Sequence, residues 1–327
     1  MIEYRNFNNT DPPHLVTVWN EALPNRGAFT LRSAAPLDRW ILSKPYFDPA
    51  GLIVATDDGI PVAFCHAGFG PNQEQTDLDH SVGVIAMIAV RIAARRQQIG
   101  SELLRRAEAY LHRRGAEELY AGGLKPINPF YFGMYGGSNS PGFLESDPHM
   151  RAFFEARGYR TAQRCLVFQR KLDQPLNVVD SRFTALRRRF EVQVLPRSRV
   201  GTWWQESMLG QLEQFEYRLD EKATAQPAAR VLYWEMEGFG WRWNTPSAGV
   251  MDIQVRSDLR QQGVGKYLFA QLLRYLQDQY FGIAEVQVRD DCEAAIRMFR
   301  SLGFAEVDTG YLYRKEIGGN ANSELRL

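Results

Sequence analysis

Cysteine is scarce in this chain. Three residues (Cys65, Cys165 and Cys292) are spread over 327 positions, too few and too scattered for a disulfide framework or a zinc site. An excess of one charge is also missing. The 39 Lys and Arg against 38 Asp and Glu leave a net charge of +1, so no global field draws the protein to nucleic acid or to an anionic membrane. No apolar run approaches the ~20 residues of a membrane span. The opening "MIEYRNFNNTDPPHL" has no basic stretch followed by an apolar one, so no signal peptide is read. These absences predict a soluble cytoplasmic protein with no metal, no nucleic-acid partner and no membrane partner. What is present is 45% apolar residues, enough for sizeable cores, in a length that fits about two domains of ~150 residues.

The chain repeats itself. "RRQQIGSELL" at 95–104 and "RQQGVGKYLF" at 260–269 stand in register, each after an apolar strand-like run, "GVIAMIAV" (83–90) and "GVMDIQV" (249–255). Each leads into a segment of helical period: Leu103, Leu104, Ala107 and Leu111 share one face, as do Leu268, Leu272, Leu273 and Leu276. Short strands follow ("ELYAGG", "AEVQV"), then helices that stop at Gly158 and Gly303, each in a plausible position just past the helix end. One period of about half the chain means duplicated domains, not a solenoid. Polar residues and Pro175 interrupt the pattern near 172–181, which places an N-terminal domain at 1–175 and a C-terminal one at 176–327. Only the first carries a long insertion, residues 124–149, rich in Gly, Pro, Ser and aromatics. Long loops inside compact domains are often functional, and this one reads as a lid or an interdomain plug.

A strand that enters a helix through a glycine turn leaves the first N–H groups of the helix unpaired, and the helix dipole favours an anion there. Gly263 and Gly265 have no Cβ to hold a phosphate away, and Arg260 adds a positive charge suited to phosphate. The third glycine of a dinucleotide fingerprint is replaced by Leu268, and the Gly-Lys-Ser/Thr of a P-loop is absent. What remains is Arg-x-x-Gly-x-Gly. With its flanking strand, long helix, "VQVRDD" strand and final helix closing on Gly-Phe, the segment resembles the acetyl-CoA loop of the GCN5-related N-acetyltransferases (GNAT). The first repeat resembles it more weakly, and the pair resembles the tandem arrangement of the mycothiol synthases.

The resemblance implies two tandem acyl-CoA N-acyltransferase domains of α/β class with mixed sheets. Acetyl-CoA would lie between two parallel strands that splay apart, and the acceptor would be the amine of a small molecule. It also implies the cofactor contacts: the backbone of Ile253, Gln254 and Val255, then Arg260, Gln261, Gln262, Gly263, Val264, Gly265 and Lys266. In the first repeat the matching residues are Val90, Arg95 and Gly100. There Gln98 replaces the first glycine and sets a side chain in the phosphate path, so the second repeat is expected to do the chemistry and the first to be silent. The tyrosine that commonly protonates the leaving thiolate is Phe154 in one repeat and Phe299 in the other. Candidate bases are Asp252, on the strand before the loop, and Glu235, which is expected to share a strand face with Glu237 at period two. His66 reads as a core histidine and Cys292 as a packing residue. Trp203, Trp204, Phe215 and Tyr217, expected on one helical run over 202–219, are candidates for the acceptor pocket. Trp241 and Trp243 are expected in a turn between strands. An acyl-CoA-binding regulator that has lost catalysis is the alternative function. A transferase using aminoacyl-tRNA fits poorly, for want of basic surplus.

Overall fold

The computed structural model describes residues 1–197 and 201–316; the tail of the second expected domain, 317–327, lies outside the described residues. The first half runs β1 (Ile2–Asn6), α1 (Pro12–Ala22), a short helical stretch at 35–42, β2 (Leu52–Asp57), β3 (Ile60–Pro71), β4 (Leu78–Val90), α2 (Ile99–Arg113), β5 (Glu118–Ala121), β6 (Phe143–Leu144), α3 (Met150–Glu155) and β7 (Arg160–Lys171). The second runs α4 (Phe183–Arg189), β8 (Phe190–Pro196), α5 (Trp203–Leu209), β9 (Phe215–Glu221), β10 (Gln226–Glu235), α6 (Glu237–Trp243), β11 (Ser247–Val255), α7 (Val264–Asp278), β12 (Ile283–Arg289), α8 (Glu293–Ser301) and β13 (Ala305–Glu316). The helical periods hold: all eight apolar residues named for α2 and α7 are buried, each leucine worth roughly 1.5–3 kcal/mol of burial. Gly158 and Gly303 adopt left-handed φ of 82° and 80°. The residues after them, Tyr159 and Phe304, donate back to the carbonyls of Phe154 and Phe299, both at 3.1 Å, which closes each helix as expected.

The two parallel pairs form where the repeat places them. β4 pairs with β5 over 82–85 and 118–121, and β11 pairs with β12 over 247–250 and 283–286. In each pair the first strand runs on past the last shared pair, to Val90 or Val255. The separate sheets implied by two domains do not form. The described strands make one sheet, ordered β1-β2-β3-β4-β5-β13-β7-β12-β11-β10-β9-β8, with β6 attached to β13. The reason is a reciprocal exchange. β7, which ends the first half, pairs antiparallel with β12 of the second, from Ile283↔Lys171 to Arg289↔Cys165. β13, which ends the second half, pairs antiparallel with β5 of the first, including Tyr313↔Ala121. The two exchanged strands then pair with each other. Each half would otherwise leave the outer edge of its short parallel strand bare, and an unpaired edge is a liability.

Two hydrophobic clusters follow from this. One packs α7 and α8 against β8–β12 together with Leu166 and Phe168 of β7. The other fills the first half and also takes in Trp204, Met208, Trp234, Met236 and Phe239 from the second. The insertion contributes Phe130, Tyr131, Phe132, Met134 and Tyr135 to it, all buried. Two local expectations need correction. The run at 202–219 is one short helix, capped by the Thr202 hydroxyl on the Gln205 N–H, and then a strand that already holds Phe215 and Tyr217. "EGFGWRW" is a helix rather than a turn, so Glu235 and Glu237 do not share a strand face. Gly238 is there because a Cβ would stand 2.6 Å from the Phe29 ring.

The exchange makes a direct prediction. Fragments 1–175 and 176–327 expressed apart should each fail to show a cooperative thermal transition by near-ultraviolet circular dichroism, and mixing them should restore one. Independent cooperative melting of either fragment would show that the exchanged strands are dispensable.

Candidate active site

The two glycine-type loops have the same backbone. Arg96 and Gln261 take left-handed φ of 63° and 61°, and Gln98 (60°) matches Gly263 (84°). Gln98 thus holds a conformation that costs a non-glycine residue ~1–2 kcal/mol. Its side chain is exposed, and the N–H groups that open α2 remain aimed out of the helix. The two arginines expected on phosphate also bond backbone carbonyls, Arg95 half-buried and Arg260 exposed. Arg95 Nε donates to the Val90 carbonyl at 3.1 Å and its Nη2 to the Ala22 carbonyl at 2.9 Å. Arg260 Nε donates to the Val255 carbonyl at 3.1 Å. In both loops the arginine ties the turn to the end of the preceding strand.

The surroundings of the two loops differ. At the first, a cavity of about 400 Å³ opens between the end of α1 (Ala22), residues 88–90 of β4, the loop 95–101, and His149, Met150, Phe153 and Arg157 of the α3 region. Beyond Ile85, where Gly122 N–H donates at 2.9 Å, β4 has no strand on its β5 side, while its other edge stays on β3 up to Ala63↔Val90. Gly100 sits so close to α3 that a Cβ would stand 3.2 Å from Phe153. Arg157 donates to the Ser101 hydroxyl and lies 3.9 Å over the Phe153 ring. Free strand edge, outward N–H groups and nearby Arg96 and Arg157 fit a long ligand with a pyrophosphate at one end. Further back along β4, Ala86 forms a bulge against β3, between His66↔Met87 and Ala67↔Ile85. It borders a second cavity of about 10 Å³ with Gly122, Gly123, Tyr131, Tyr135 and Ser140.

Two tyrosines of the insertion meet ionisable partners at that small cavity. The Tyr135 hydroxyl donates to Asp147 Oδ2 and accepts from the Leu144 N–H at 2.9 Å. Asn25 donates to Asp147 Oδ1 at 2.7 Å. Burial raises the Asp147 carboxyl above the ordinary range against the pull of these donors, and it raises Tyr135 well above its own. Tyr131 Oη lies 3.1 Å from His66 Nδ1. His66 is fully buried, stacks 4.0 Å from Phe130, and burial lowers it to about 3. It is a neutral core histidine, as expected.

At the second loop, residues 253–256 and Arg260 border an open groove against residues 227–230 of β10, and Arg182 lies across Gly263, its guanidinium carbon 2.8 Å from where a Cβ would stand. Lys266 Nζ is 3.5 Å from Asp180. The inner face of this half is covered by the insertion. Ser138 N–H donates to Glu285 Oε1 at 2.7 Å, Gln287 Nε2 donates to the Gly136 carbonyl at 2.7 Å, and Trp234 Nε1 donates to the Ser138 carbonyl at 3.1 Å. Gly137 has no room for a Cβ against the Glu285 carboxylate. The plug reading of 124–149 therefore has a definite form. Of the base candidates, Asp252 is ion-paired to Arg230 at 3.4 Å and to Lys125 at 3.9 Å, and Glu235 is exposed at the end of β10. Phe154 and Phe299 are buried. Cys292 is exposed, and its nearest polar partner is Asp291 at 3.5 Å. Trp204 packs inside while Trp203 and Trp241 stand exposed. Among the described residues no cluster of His, Cys, Asp and Glu is arranged to hold a metal, and no helix is long and apolar enough to cross a membrane.

Sequence reasoning places Asp147 where the resemblance expects an asparagine before the final helix and Tyr135 in the lid-like insertion, but it does not bring the two together, and it does not single out Arg157 or Glu285. Glu285 had a signal, a carboxylate in the middle of the apolar strand "IAEVQV". It is fully buried; Gln169 donates to it at 2.7 Å and Arg26 lies at 3.4 Å. Burial raises its carboxyl, with Arg26 and the Ser138 N–H pulling the other way. A carboxyl that holds its proton more tightly when folded contributes stability that is complete below the unfolded value, ~4.3, and is lost as pH rises through the folded value. Glu285→Gln removes that titration. The difference in melting temperature should therefore move against the wild type as pH rises above about 4. A flat difference would mean that Glu285 is ionised throughout.

Comparison with known proteins agrees with this architecture. A family model described as "Acetyltransferase (GNAT) family" matches residues 16–135 and 198–304. Among curated protein sequences none matches the chain. Three solved structures illustrate the likeness of fold. A GCN5-related N-acetyltransferase from Sphaerobacter thermophilus has 14% identity and a TM-score of 0.64 over 96% of this chain and 95% of that one. A tandem GNAT protein from the clavulanic acid biosynthesis pathway has 15% identity and a TM-score of 0.67 over 98% of this chain and 100% of that one. The glucosamine N-acetyltransferase region of a fungal multi-domain beta-N-acetylglucosaminidase has 15% identity and a TM-score of 0.69, over 96% of this chain but 38% of that one.

Proposed function

The chain belongs to the acetyltransferase (GNAT) family, and from that premise we propose that it transfers an acetyl group from acetyl-CoA to the amine of a small molecule, with the donor held in the first half. One observation carries the choice of half: the cavity of about 400 Å³ joins the bare edge of β4 to the loop at 95–101 and to α3, whereas the larger groove of about 710 Å³ at the second loop is bordered by β10 and takes in no residue of α8. The backbone of 88–90 would pair with the pantetheine arm, the N–H groups that open α2 would take the pyrophosphate, and Arg96 and Arg157 would add charge. Acetyl-CoA supplies the activated acyl group. The protein's part is to orient it along β4 and to exclude water at the bulge of Ala86. The expectation that the second repeat does the chemistry rested on the Gln98 side chain standing in the phosphate path; the two loops share the left-handed backbone, and with the donor in the first half the exposed Gln98 side chain lies beside it. The segment at 136–139 lies over the second half's inner face, which supports a scaffold role for that half. Asp252 and Glu235 are then structural residues. Fold halves of 1–175 and 176–327 remain the working division, with β7 and β13 exchanged between them.

Titration calorimetry with coenzyme A tests the choice. Gly100→Asp sets a carboxylate at the first loop, where it opposes pyrophosphate by charge. Gly265→Asp does the same at the second, where a Cβ has 3.5 Å of clearance from Val255. Affinity should fall at least tenfold, about 1.4 kcal/mol, in Gly100→Asp and change less than twofold in Gly265→Asp. The opposite pattern moves the donor to the second half.

A further inference from the structure

A transferase of this kind has to protonate a leaving thiolate, and the final helix of each half presents a buried phenylalanine, Phe154 or Phe299, in place of the expected tyrosine. Proton-bearing groups at the mouth of the first cleft come instead from the insertion. Tyr135 lines the small cavity with Ala86 and Gly122, at the point where β4 and β5 part. The mouth lies on β4 only two residues back from Ile88, the first strand residue of the large cavity. A donor laid along β4 with its pyrophosphate at 95–101 brings its thioester end to this place. The Tyr135 oxygen accepts from the Leu144 N–H at 2.9 Å, which stabilises a phenolate if one forms. On its other side it meets the Asp147 carboxyl, which Asn25 holds at 2.7 Å.

We propose that Tyr135 is the catalytic acid of this protein, recharged by Asp147 as its positioning and relay partner; this rests on the first half holding the donor. The neutral amine attacks the thioester carbonyl and forms the N–C bond. Collapse of the adduct breaks the C–S bond and leaves the electron pair on sulfur. With Asp147 protonated, its Oδ2 donates to Tyr135 Oη and the phenol proton is free; Oη passes that proton to the sulfur and takes the Asp147 proton, and the proton shed by the new amide nitrogen restores Asp147. Atoms and charge balance with no further reactant. Burial raises the Asp147 carboxyl from its ordinary value, the direction this relay requires. Tyr131 borders the same cavity, but its hydroxyl faces the buried, neutral His66, which has no proton surplus to return.

Tyr135→Phe keeps the ring and removes the proton. Turnover at saturating donor and amine should fall on the order of 100-fold, with affinity for acetyl-CoA within twofold of wild type. Two readouts separate an acid from a packing residue. By calorimetry the wild type should bind coenzyme A more tightly than desulfo-coenzyme A, and Tyr135→Phe should lose that preference. With an acyl thioester of a more acidic thiol, the deficit of Tyr135→Phe should shrink, because that leaving group needs less protonation. Asp147→Asn, which keeps the shape, should lower turnover and shift its pH profile, and it stands as the second variant if Tyr135→Phe does not fold. Full turnover in Tyr135→Phe, a deficit independent of the leaving thiol, or loss of the coenzyme A preference in Tyr131→Phe instead would overturn the proposal. If the donor sits in the second half, Gly100→Asp will leave coenzyme A binding intact, which distinguishes failure of that premise from failure of the acid.

Discussion

The pairing of β7 with β13 is the contact on which the rest of this architecture hangs. It runs from Ala305↔Gln169 to Arg314↔Arg160 and makes two α/β halves into one sheet. Because β7 crosses to β12, Gln169 arrives beside Glu285, and because β13 crosses to β5, Asp308 arrives beside Ser146, whose N–H it accepts at 3.2 Å. The exchange thus delivers acceptors from the second half to the middle and the end of the insertion of the first, at Ser138 and Ser146. With those in place, 124–149 folds inward as a buried block rather than outward as a loop.

That block makes the two halves unequal, and the loop glycines do not. Gln98 and Gly263 hold nearly the same left-handed geometry, and a penalty of ~1–2 kcal/mol at one residue is small against the packing of α2. The Gln98 side chain is exposed and borders the large cavity. The insertion meets Glu285, Gln287 and Trp234 of the second half and stops short of residues 88–90 in the first. Both donor-side clefts stay open, but the first, of about 400 Å³, is closed in by α3, whereas the groove of about 710 Å³ at the second loop lies along β10.

Much of this was legible in the sequence. The repeat, both parallel strand pairs, the apolar faces of α2 and α7 and the closing glycines follow from local periodicity and backbone chemistry, which act over a few residues. The strand exchange was not legible, because an antiparallel partner is set by edges far apart in sequence; nothing in "CLVFQRKL" or "YLYRKEI" tells which half will take it. The helix at Glu237–Trp243 was hidden by Gly238 and Gly240, which read as a turn until the Phe29 ring explains the missing Cβ. A second role of the arginines was not legible either: the Nε of Arg95 and of Arg260 each ties its loop to a carbonyl at the end of the preceding strand. Of the site, the donor loop was readable from spacing, whereas Tyr135, Asp147 and Glu285 depend on how a 26-residue insertion folds.

The closed state of the insertion also bears on how an acceptor enters. The cavity at Ala86 and its neighbour beside Trp40 and Lys44 each hold about 10 Å³, room for a single water and no more. An amine cannot meet a thioester there unless the insertion gives way. It is tied to the second half at 136–138 through Glu285, Gln287 and Trp234, each bonded to backbone atoms there, and Phe132 packs 5.8 Å from the Trp234 ring. Opening the acceptor side therefore breaks contacts that the second half makes, which couples that half to the entry of the acceptor.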